Sequence, residues 1–211
     1  LTEPTAGSDA NSGKTSAKLS KDKKHYLLTG QKIWISNGGF ADIHIVFAKI
    51  DDDKNHSAFI VHGSSKGITM APEEDKLGIK GSSTRQIFYE NVKVPVENLL
   101  GERNGGFGIA LNILNIGRVK LCASAIGGAK QLIEQTEEYI AERKQFGMSI
   151  NQFGAIKQKL ARMLAKTFAS ESLMYRAGQD IENRGFFIGL HTKKIEENEI
   201  IKLTNNLLSI D

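Results

Sequence analysis

The sequence predicts an α+β protein, in which an antiparallel β-barrel or sandwich domain is followed by an incomplete α-helical bundle. Between residues 14 and 95, short runs of β-forming residues alternate with turn residues, a pattern typical of antiparallel sheets. After residue 106, apolar residues recur at the spacing of amphipathic helices. We therefore assign residues 1–103 to a middle β domain and residues 104–211 to a partial helical domain, with an unassigned tail from about residue 184.

The β domain should contain several short strands. Residues 25–30 and 31–36 are both rich in β-formers and are divided by Gly30, so they predict two strands. The acidic segment 51–56 predicts a hairpin loop, and segment 73–84 predicts a longer glycine-bearing loop. The remaining predicted strands are residues 43–48, 57–61, 68–70, 85–90 and 92–95.

The helical domain should contain two long helical regions. Apolar residues have helical spacing over residues 107–114 and again over residues 119–143, and a further helix is predicted over residues 151–180. Gly127 and Gly128 each cost about 1 kcal/mol relative to alanine, a cost that would be tolerable if a neighbouring helix packs closely there. The segment RKQFG at residues 143–147 ends its helix with cations and a stop glycine. Two helices cannot bury the apolar faces of a whole bundle, so an exposed apolar patch is expected.

Composition excludes several classes of protein. The net charge of +4 comes from scattered lysines, which argues against a nucleic-acid-binding surface. The single cysteine excludes an internal disulfide framework, and the five histidines lack metal-ligand spacing, so no metal is predicted. No stretch approaches the apolar run that a membrane helix requires.

Two segments carry the candidate chemistry. Residues 1–9, LTEPTAGSD, should turn sharply and direct backbone amides and short hydroxyls toward a polar ligand. Residues 32–39, KIWISNGG, place Trp34 two residues before Ser36, so both side chains should lie on one face of a strand. An aromatic plate beside a hydroxyl suits a flat heterocycle. Taken alone, a Gly-Ser-Asp corner is usually an ordinary turn, and a lone tryptophan in a β segment more often belongs to the core than to a cofactor site.

Together, T-E-P-x-x-G-S-D at residues 2–9 and W-I-S-N-G-G at residues 34–39 resemble the flavin-binding signature of the acyl-CoA dehydrogenase family. Segments 73–84 and 94–102 resemble the middle domain of that family. Segments 113–118 and 151–154 are similar to its long-chain and very-long-chain branch, which includes a complex I assembly relative. The resemblance covers roughly residues 1–180.

The resemblance implies FAD as the cofactor. Trp34 would cover the isoalloxazine ring, Ser36 would address its N5 edge, and Arg143 would reach the pyrophosphate of FAD in a neighbouring subunit. The implied FAD-binding residues are Leu1, Thr2, Gly7, Ser8, Trp34, Ile35, Ser36, Arg143 and Phe146. The implied acyl-CoA contacts are Ser8, Asn115 and Arg118.

The implied activity is α,β-dehydrogenation of a long-chain fatty acyl-CoA, with electrons passing to an electron-transfer flavoprotein. The resemblance also implies a mitochondrial homo-oligomer. The family's catalytic glutamate lies in a Glu-Gly-Thr segment, which these 211 residues lack, so no catalytic residue is assigned and the chain alone is expected to be inactive. The alternative is a non-catalytic FAD-binding or assembly module. A third possibility is an acyl-CoA oxidase of the same fold. The intact T-E-P-x-x-G-S-D segment argues against it, because oxidases tend to vary at these positions.

Overall fold

The computed structural model describes residues 1–191. These residues fall into two compact units, one ending at Leu114 and the other beginning at Asn115. The first unit contains the sheet together with the start of the first long helix, and the second contains the rest of that helix and the following elements. The last strand of the sheet ends at Leu100, close to the predicted end of the β domain.

A seven-stranded sheet forms the first unit, in the order β5-β6-β2-β1-β3-β4-β7. The pairs are antiparallel except for β1 and β3, which run parallel. Short 3-10 helices span Ala10–Ser12 and Val96–Asn98. The strands are β1 Ser16–Leu19, β2 His25–Ser36, β3 Ile43–Ile50, β4 Ser57–His62, β5 Ile68–Met70, β6 Thr84–Pro95 and β7 Leu99–Leu100.

Strands β2 and β6 are each continuous over 12 residues, although the sequence predicts two shorter strands in each region. Their pairing shifts register twice, between Leu28 and Gly30 and between Lys32 and Ile35. At the first shift β6 carries the extra residue, and Asn91 has a φ of 49° there. Bulges of this kind absorb a residue without ending a strand, which is why turn-forming residues did not divide them.

The core of the first unit is formed by buried side chains of the strands. Burial roughly alternates along β2 and β6, as expected for a pleated sheet with one covered face, whereas three successive residues of β3, Val46, Phe47 and Ala48, are buried. Tyr26 packs edge-on against Phe59, with ring centroids 5.1 Å apart. The fully buried aliphatic members are Leu28, Val46, Ile50, Val61, Ile87, Val92 and Val94.

Helix α1 spans Gly106–Glu142 and helix α2 spans Gly154–His191. The two predicted segments 107–114 and 119–143 therefore form one helix. A two-residue turn at Phe146 and Gly147 joins β8, Lys144–Gln145, to β9, Met148–Ser149, and a 3-10 helix follows at Ile150–Gln152. Phe146 and Gly147 both have positive φ, 52° and 79°, the combination that favours a tight hairpin. The predicted stop at residues 143–147 is thus a hairpin.

Two expectations about the helices need correction. Helix α1 is long and apolar enough to cross a membrane by length and composition, a test that the core helix of a soluble bundle also passes. At Gly127 and Gly128 nothing lies within 4 Å of where a Cβ would be, so the close helix packing that would make these glycines tolerable is not seen among the described residues. The expected exposed apolar side chains are present on both helices, and include Leu121, Leu132, Tyr139, Phe168, Leu173 and Tyr175.

Candidate functional site

The corner at residues 1–9 is attached directly to strand β2. The backbones of Glu3 and Ala6 exchange two hydrogen bonds of 3.1 Å, which close the turn predicted around Pro4. The Thr2 carbonyl accepts a 3.0 Å hydrogen bond from the Ile33 amide, one residue before Trp34. The two segments that the sequence singles out are therefore neighbours in the fold.

A buried ion pair lies beneath this corner. The Glu3 carboxylate accepts a 2.7 Å hydrogen bond from Lys32 Nζ, and it also accepts hydrogen bonds from the backbone amides of Lys14 and Thr15. Burial alone would raise the pKa of Glu3, but the Lys32 hydrogen bond and the other donors lower that pKa to about 2. Burial lowers the pKa of Lys32, and the Glu3 carboxylate opposes that change. Lys32 Nζ also donates to the Leu1 carbonyl at 3.2 Å.

Trp34 does not lie on a regular strand. Between Lys32 and Ile35, β2 carries one residue more than its partner β6, and Trp34 takes a φ of 58° at this bulge. The alternation used to place Trp34 and Ser36 on one face is therefore broken just before Trp34, although both residues are exposed. A left-handed backbone is costly for a bulky residue, and such strain is concentrated at functional sites.

A cavity of about 160 Å³ opens beside the corner and gathers three of the predicted FAD-binding residues, Leu1, Ile35 and Ser36. Gly7, Ser8 and Trp34 are not among its lining residues. Since each water occupies about 30 Å³ in the liquid, the cavity holds a few waters and cannot enclose a tricyclic ring. The other lining residues are Lys32, Gly38, Ala41, Ile43, His44, Ile45, Val46 and Tyr89.

The cavity includes a buried pair that the sequence analysis missed. His44 Nδ1 lies 3.2 Å from the Tyr89 hydroxyl, and the two rings meet edge to face. Burial lowers the pKa of His44 and raises the pKa of Tyr89, so both side chains are neutral near pH 7. One histidine in β3 and one tyrosine in β6 give no local signal, because these strands are not neighbours in the sheet and only the tertiary fold brings the two side chains together.

The rest of the corner is open. Gly7 and Ser8 are exposed, and nothing lies within 4 Å of a Cβ placed on Gly7. The surface at this point could therefore accept a ligand without displacing protein atoms.

In the second unit, the predicted substrate contacts Asn115 and Arg118 touch each other, with Arg118 Nη1 donating to Asn115 Oδ1 at 2.7 Å. Arg143 is exposed, and its carbonyl accepts the Ile150 amide at 2.8 Å, which fixes the base of the β8-β9 hairpin. Phe146 at the hairpin tip is 91% exposed and meets Phe153 edge to face. These residues belong to a different compact unit from Leu1 and Trp34.

His56, the residue before β4, is buried and should make stability depend on pH. It is fully buried, with Nδ1 3.1 Å from Asn11 Oδ1 and no protein partner for Nε2 among the described residues. Burial and the nearby charges of Lys32 and Lys49 lower the pKa of His56 to about 4, against 6.5 ordinarily.

Since the unfolded chain takes up this proton first, stability should fall as pH decreases from 6.5 to 4, by on the order of 2 kcal/mol. Urea denaturation at several pH values measures the loss. His56→Gln should remove most of it, whereas His44→Gln should remove only the separate contribution of His44, and an unchanged pH profile in His56→Gln would contradict the assignment.

Family models match nearly the whole chain. The description "Acyl-CoA dehydrogenase, middle domain" matches residues 1–92, and "Acyl-CoA dehydrogenase, C-terminal domain" matches residues 104–202. The second match extends into the tail that the sequence analysis left unassigned from about residue 184.

Individual relatives agree with these matches. A probable acyl-CoA dehydrogenase of Bacillus subtilis is 49% identical over 83% of this chain and 30% of its own length. The human mitochondrial very long-chain specific acyl-CoA dehydrogenase is 43% identical over 86% of this chain and 29% of its own length. The chain thus spans about a third of the length of these curated relatives.

Solved structures with the same fold include an acyl-CoA dehydrogenase from Bacillus anthracis complexed with FAD. It superposes with a TM-score of 0.79 and 51% identity over 84% of this chain and 31% of its own. Butyryl-CoA dehydrogenase from Megasphaera elsdenii superposes with a TM-score of 0.81 and 42% identity, over 87% of this chain and 49% of its own.

Proposed function

Because this chain belongs to the acyl-CoA dehydrogenase family, we propose that it supplies the flavin-facing part of an FAD-dependent dehydrogenase that acts on a fatty acyl-CoA. The observation that carries the proposal is the junction of the corner with the Trp34 strand. The Thr2–Ile33 hydrogen bond and the shared cavity of Leu1, Ile35 and Ser36 support a single ligand-facing rim.

The residues present fit a flavin lying across this rim. The exposed indole of Trp34 offers an apolar plate, and the Ser36 hydroxyl has no protein hydrogen-bond partner among residues 1–191. The cavity is too small to enclose a tricyclic ring, which favours a ring that covers its mouth. Gly7 and Ser8, exposed at the outer side of the corner, would then face the acyl thioester.

When bound, FAD would accept the two electrons and the β-hydrogen of the acyl group. The chain's own contribution is orientation and electrostatics: Trp34 would limit the tilt of the ring and Ser36 would donate to its edge. The α-proton requires a general base, and the 211 residues contain no Glu-Gly-Thr segment of the kind in which the family's base is expected. We propose that this base lies outside the present sequence.

Flavin binding and bleaching test the proposal. The complete protein should bind FAD, and anaerobic palmitoyl-CoA should bleach the visible absorption of the bound flavin. The 211-residue chain alone should show no bleaching, because it lacks the base. Binding without bleaching in the complete protein would leave only the non-catalytic module, and absence of FAD binding would overturn both functions.

Ser36→Ala should weaken FAD binding more than folding. Ser36 is exposed and its hydroxyl makes no intramolecular hydrogen bond in the described structure, so the stability change should stay within about 0.5 kcal/mol. Loss of one hydrogen bond to the flavin should weaken FAD about tenfold. Equilibrium titration of FAD and urea denaturation measure the two effects, with Ser64→Ala on an exposed loop as control. An unchanged FAD affinity would exclude this role for Ser36.

Arg143 and Phe146 extend the proposal to a second subunit. A guanidinium pairs well with phosphate oxygens, and Arg143 forms no salt bridge among the described residues that would compete with such a role. We propose that this hairpin reaches the pyrophosphate and adenosine parts of FAD in a homo-oligomer. Arg143→Gln should then weaken FAD binding, while leaving the fold of the exposed hairpin unchanged.

The finer features of the function are proposals of the same kind. The similarity to very long-chain specific enzymes supports long-chain acyl groups, which a comparison of palmitoyl-CoA with butyryl-CoA in the bleaching assay would test. An electron-transfer flavoprotein is the proposed electron acceptor, and Asn115 with Arg118 the proposed acyl-CoA contacts. The relatives include both bacterial and mitochondrial proteins, so the family alone specifies no compartment, and a mitochondrial address is a proposal that localisation of a tagged protein would test.

A further inference from the structure

Lys32 contacts the Leu1 carbonyl in addition to its ionic partner Glu3. Its Nζ bonds to the Glu3 carboxylate at 2.7 Å and to the Leu1 carbonyl at 3.2 Å, and its side chain is 2% exposed. Lys32 also lines the cavity that it shares with Leu1 and Ser36. One ammonium therefore joins strand β2, the corner and the wall of the candidate flavin site.

We propose that Lys32 is a positioning residue of the flavin site, which holds the Leu1 carbonyl, and with it the start of the corner, at a fixed distance from the rim formed by Ile35 and Ser36. The inference rests on the proposed FAD-binding function and adds a residue to it. Lys32 acts through the backbone of Leu1 and does not itself have to touch the flavin.

The local hydrogen bonds support this role. Residues 1 and 2 are held to β2 by only two described bonds, Lys32 Nζ to the Leu1 carbonyl and the Ile33 amide to the Thr2 carbonyl. The second bond originates at the bulge, next to the left-handed Trp34. Without Lys32, the Leu1 carbonyl would lose its described partner at the edge of the cavity, and the Ile33–Thr2 bond, at an irregular point of the strand, would be the one described hydrogen bond left between this segment and β2.

The Glu3 contact serves to hold the ammonium. The carboxylate of Glu3 is anchored by the Lys14 and Thr15 amides at the start of β1, and its own backbone closes the turn with Ala6. Lys32 is thus aimed by a group fixed to the sheet on one side and to the corner on the other. Stability does not by itself require an ion pair at this position, because a buried ion pair can often be replaced by neutral residues of matched volume with little loss.

A double variant separates positioning from stability in the complete protein. Lys32→Met with Glu3→Gln removes both charges at similar volume, so its urea midpoint should stay close to that of the wild type. Methionine cannot donate to the Leu1 carbonyl, so FAD should bind about tenfold more weakly, and the absorption and fluorescence of the bound flavin should change. The single variant Glu3→Gln leaves an amide oxygen that can still accept from Lys32 Nζ, so the Lys32–Leu1 bond should persist and FAD affinity should stay within about threefold. Its stability should fall, because the buried ammonium loses its counter-charge. Lys80→Met, which removes the exposed Lys80–Asp75 pair, is the matched control.

Each outcome is decisive. A double variant with wild-type stability, FAD affinity and flavin spectrum would overturn the proposal, because Lys32 would then act only as a charge partner. If the double variant fails to fold, Lys32→Met alone decides, with FAD titrated onto its folded protein: a tenfold loss of FAD affinity supports the Leu1 contact, and wild-type affinity and spectrum overturn it. A wild-type protein that binds no FAD would overturn the proposed function and this inference together.

Discussion

Replacing Lys32 alone with methionine is expected to reduce the free energy of unfolding by about 3–5 kcal/mol, because it leaves the Glu3 carboxylate buried without its cation. The carboxylate would keep the Lys14 and Thr15 amides as donors, which limits the loss but does not neutralise the charge. Urea denaturation at pH 7 measures the change. The pKa of Glu3 should rise in the variant, so part of the lost stability should return as pH falls and Glu3 becomes protonated.

The exposed Lys80–Asp75 pair gives the comparison for this variant. Its N–O distance of 2.8 Å is nearly the same as that of Lys32–Glu3, but both side chains are exposed. Lys80→Met should therefore cost less than about 1 kcal/mol. Equal losses in the two variants would show that burial of the Lys32–Glu3 pair is not what makes it important.

Gly106→Ala is expected to destabilise the first unit by about 3 kcal/mol through overpacking. A Cβ on Gly106 would lie 2.6 Å from the carbonyl carbon of Ser57 and 2.7 Å from the amide of Ala58. These are backbone atoms at the start of β4, and the Gly106 amide is itself bonded to the His56 carbonyl at 2.9 Å. The helix start and the strand must therefore move apart, which also disturbs the small cluster of Phe47, Ala58 and Ala110.

Gly108→Ala is the matched control, since it adds the same methyl group two residues further along α1. Nothing lies within 4 Å of a Cβ at that position. Alanine should raise stability there by about 0.5–1 kcal/mol, because glycine is the poorer helix former. Thermal or urea unfolding should therefore give opposite signs for the two variants, and the same sign in both would contradict the proposed close approach of α1 to β4.

Much of the architecture is predictable from local sequence patterns. Alternating β-forming segments and the change to helical spacing near Gly106 predict a sheet followed by long helices, and the family matches and solved relatives confirm that α+β arrangement. The T-E-P corner and the W-I-S-N segment also identify the family, because their residue types and separation are specific.

The sequence does not predict the irregularities that shape the candidate site. The bulge before Trp34 depends on how β2 pairs with β6, and no residue near Trp34 is a glycine that would indicate a left-handed backbone. A lysine in an otherwise ordinary strand predicts an exposed side chain, whereas Lys32 is buried because Glu3 meets it across 29 positions of sequence. The cavity of His44 and Tyr89 likewise depends on the tertiary fold, because β3 and β6 are separated by two strands in the sheet.

The bulge also limits how this strand can vary through evolution. Substitutions can change the side chains of β2, but removing one residue at positions 33–34 would restore a regular ladder to Ser36 and Thr84. Ile35 and Ser36 would keep their partners on β6, but the local bend and the left-handed conformation at Trp34 would be lost. Homologues that use this rim can therefore have different side chains between Lys32 and Ser36, but they should have the same number of residues there. Aligned sequences should show no gaps in this interval.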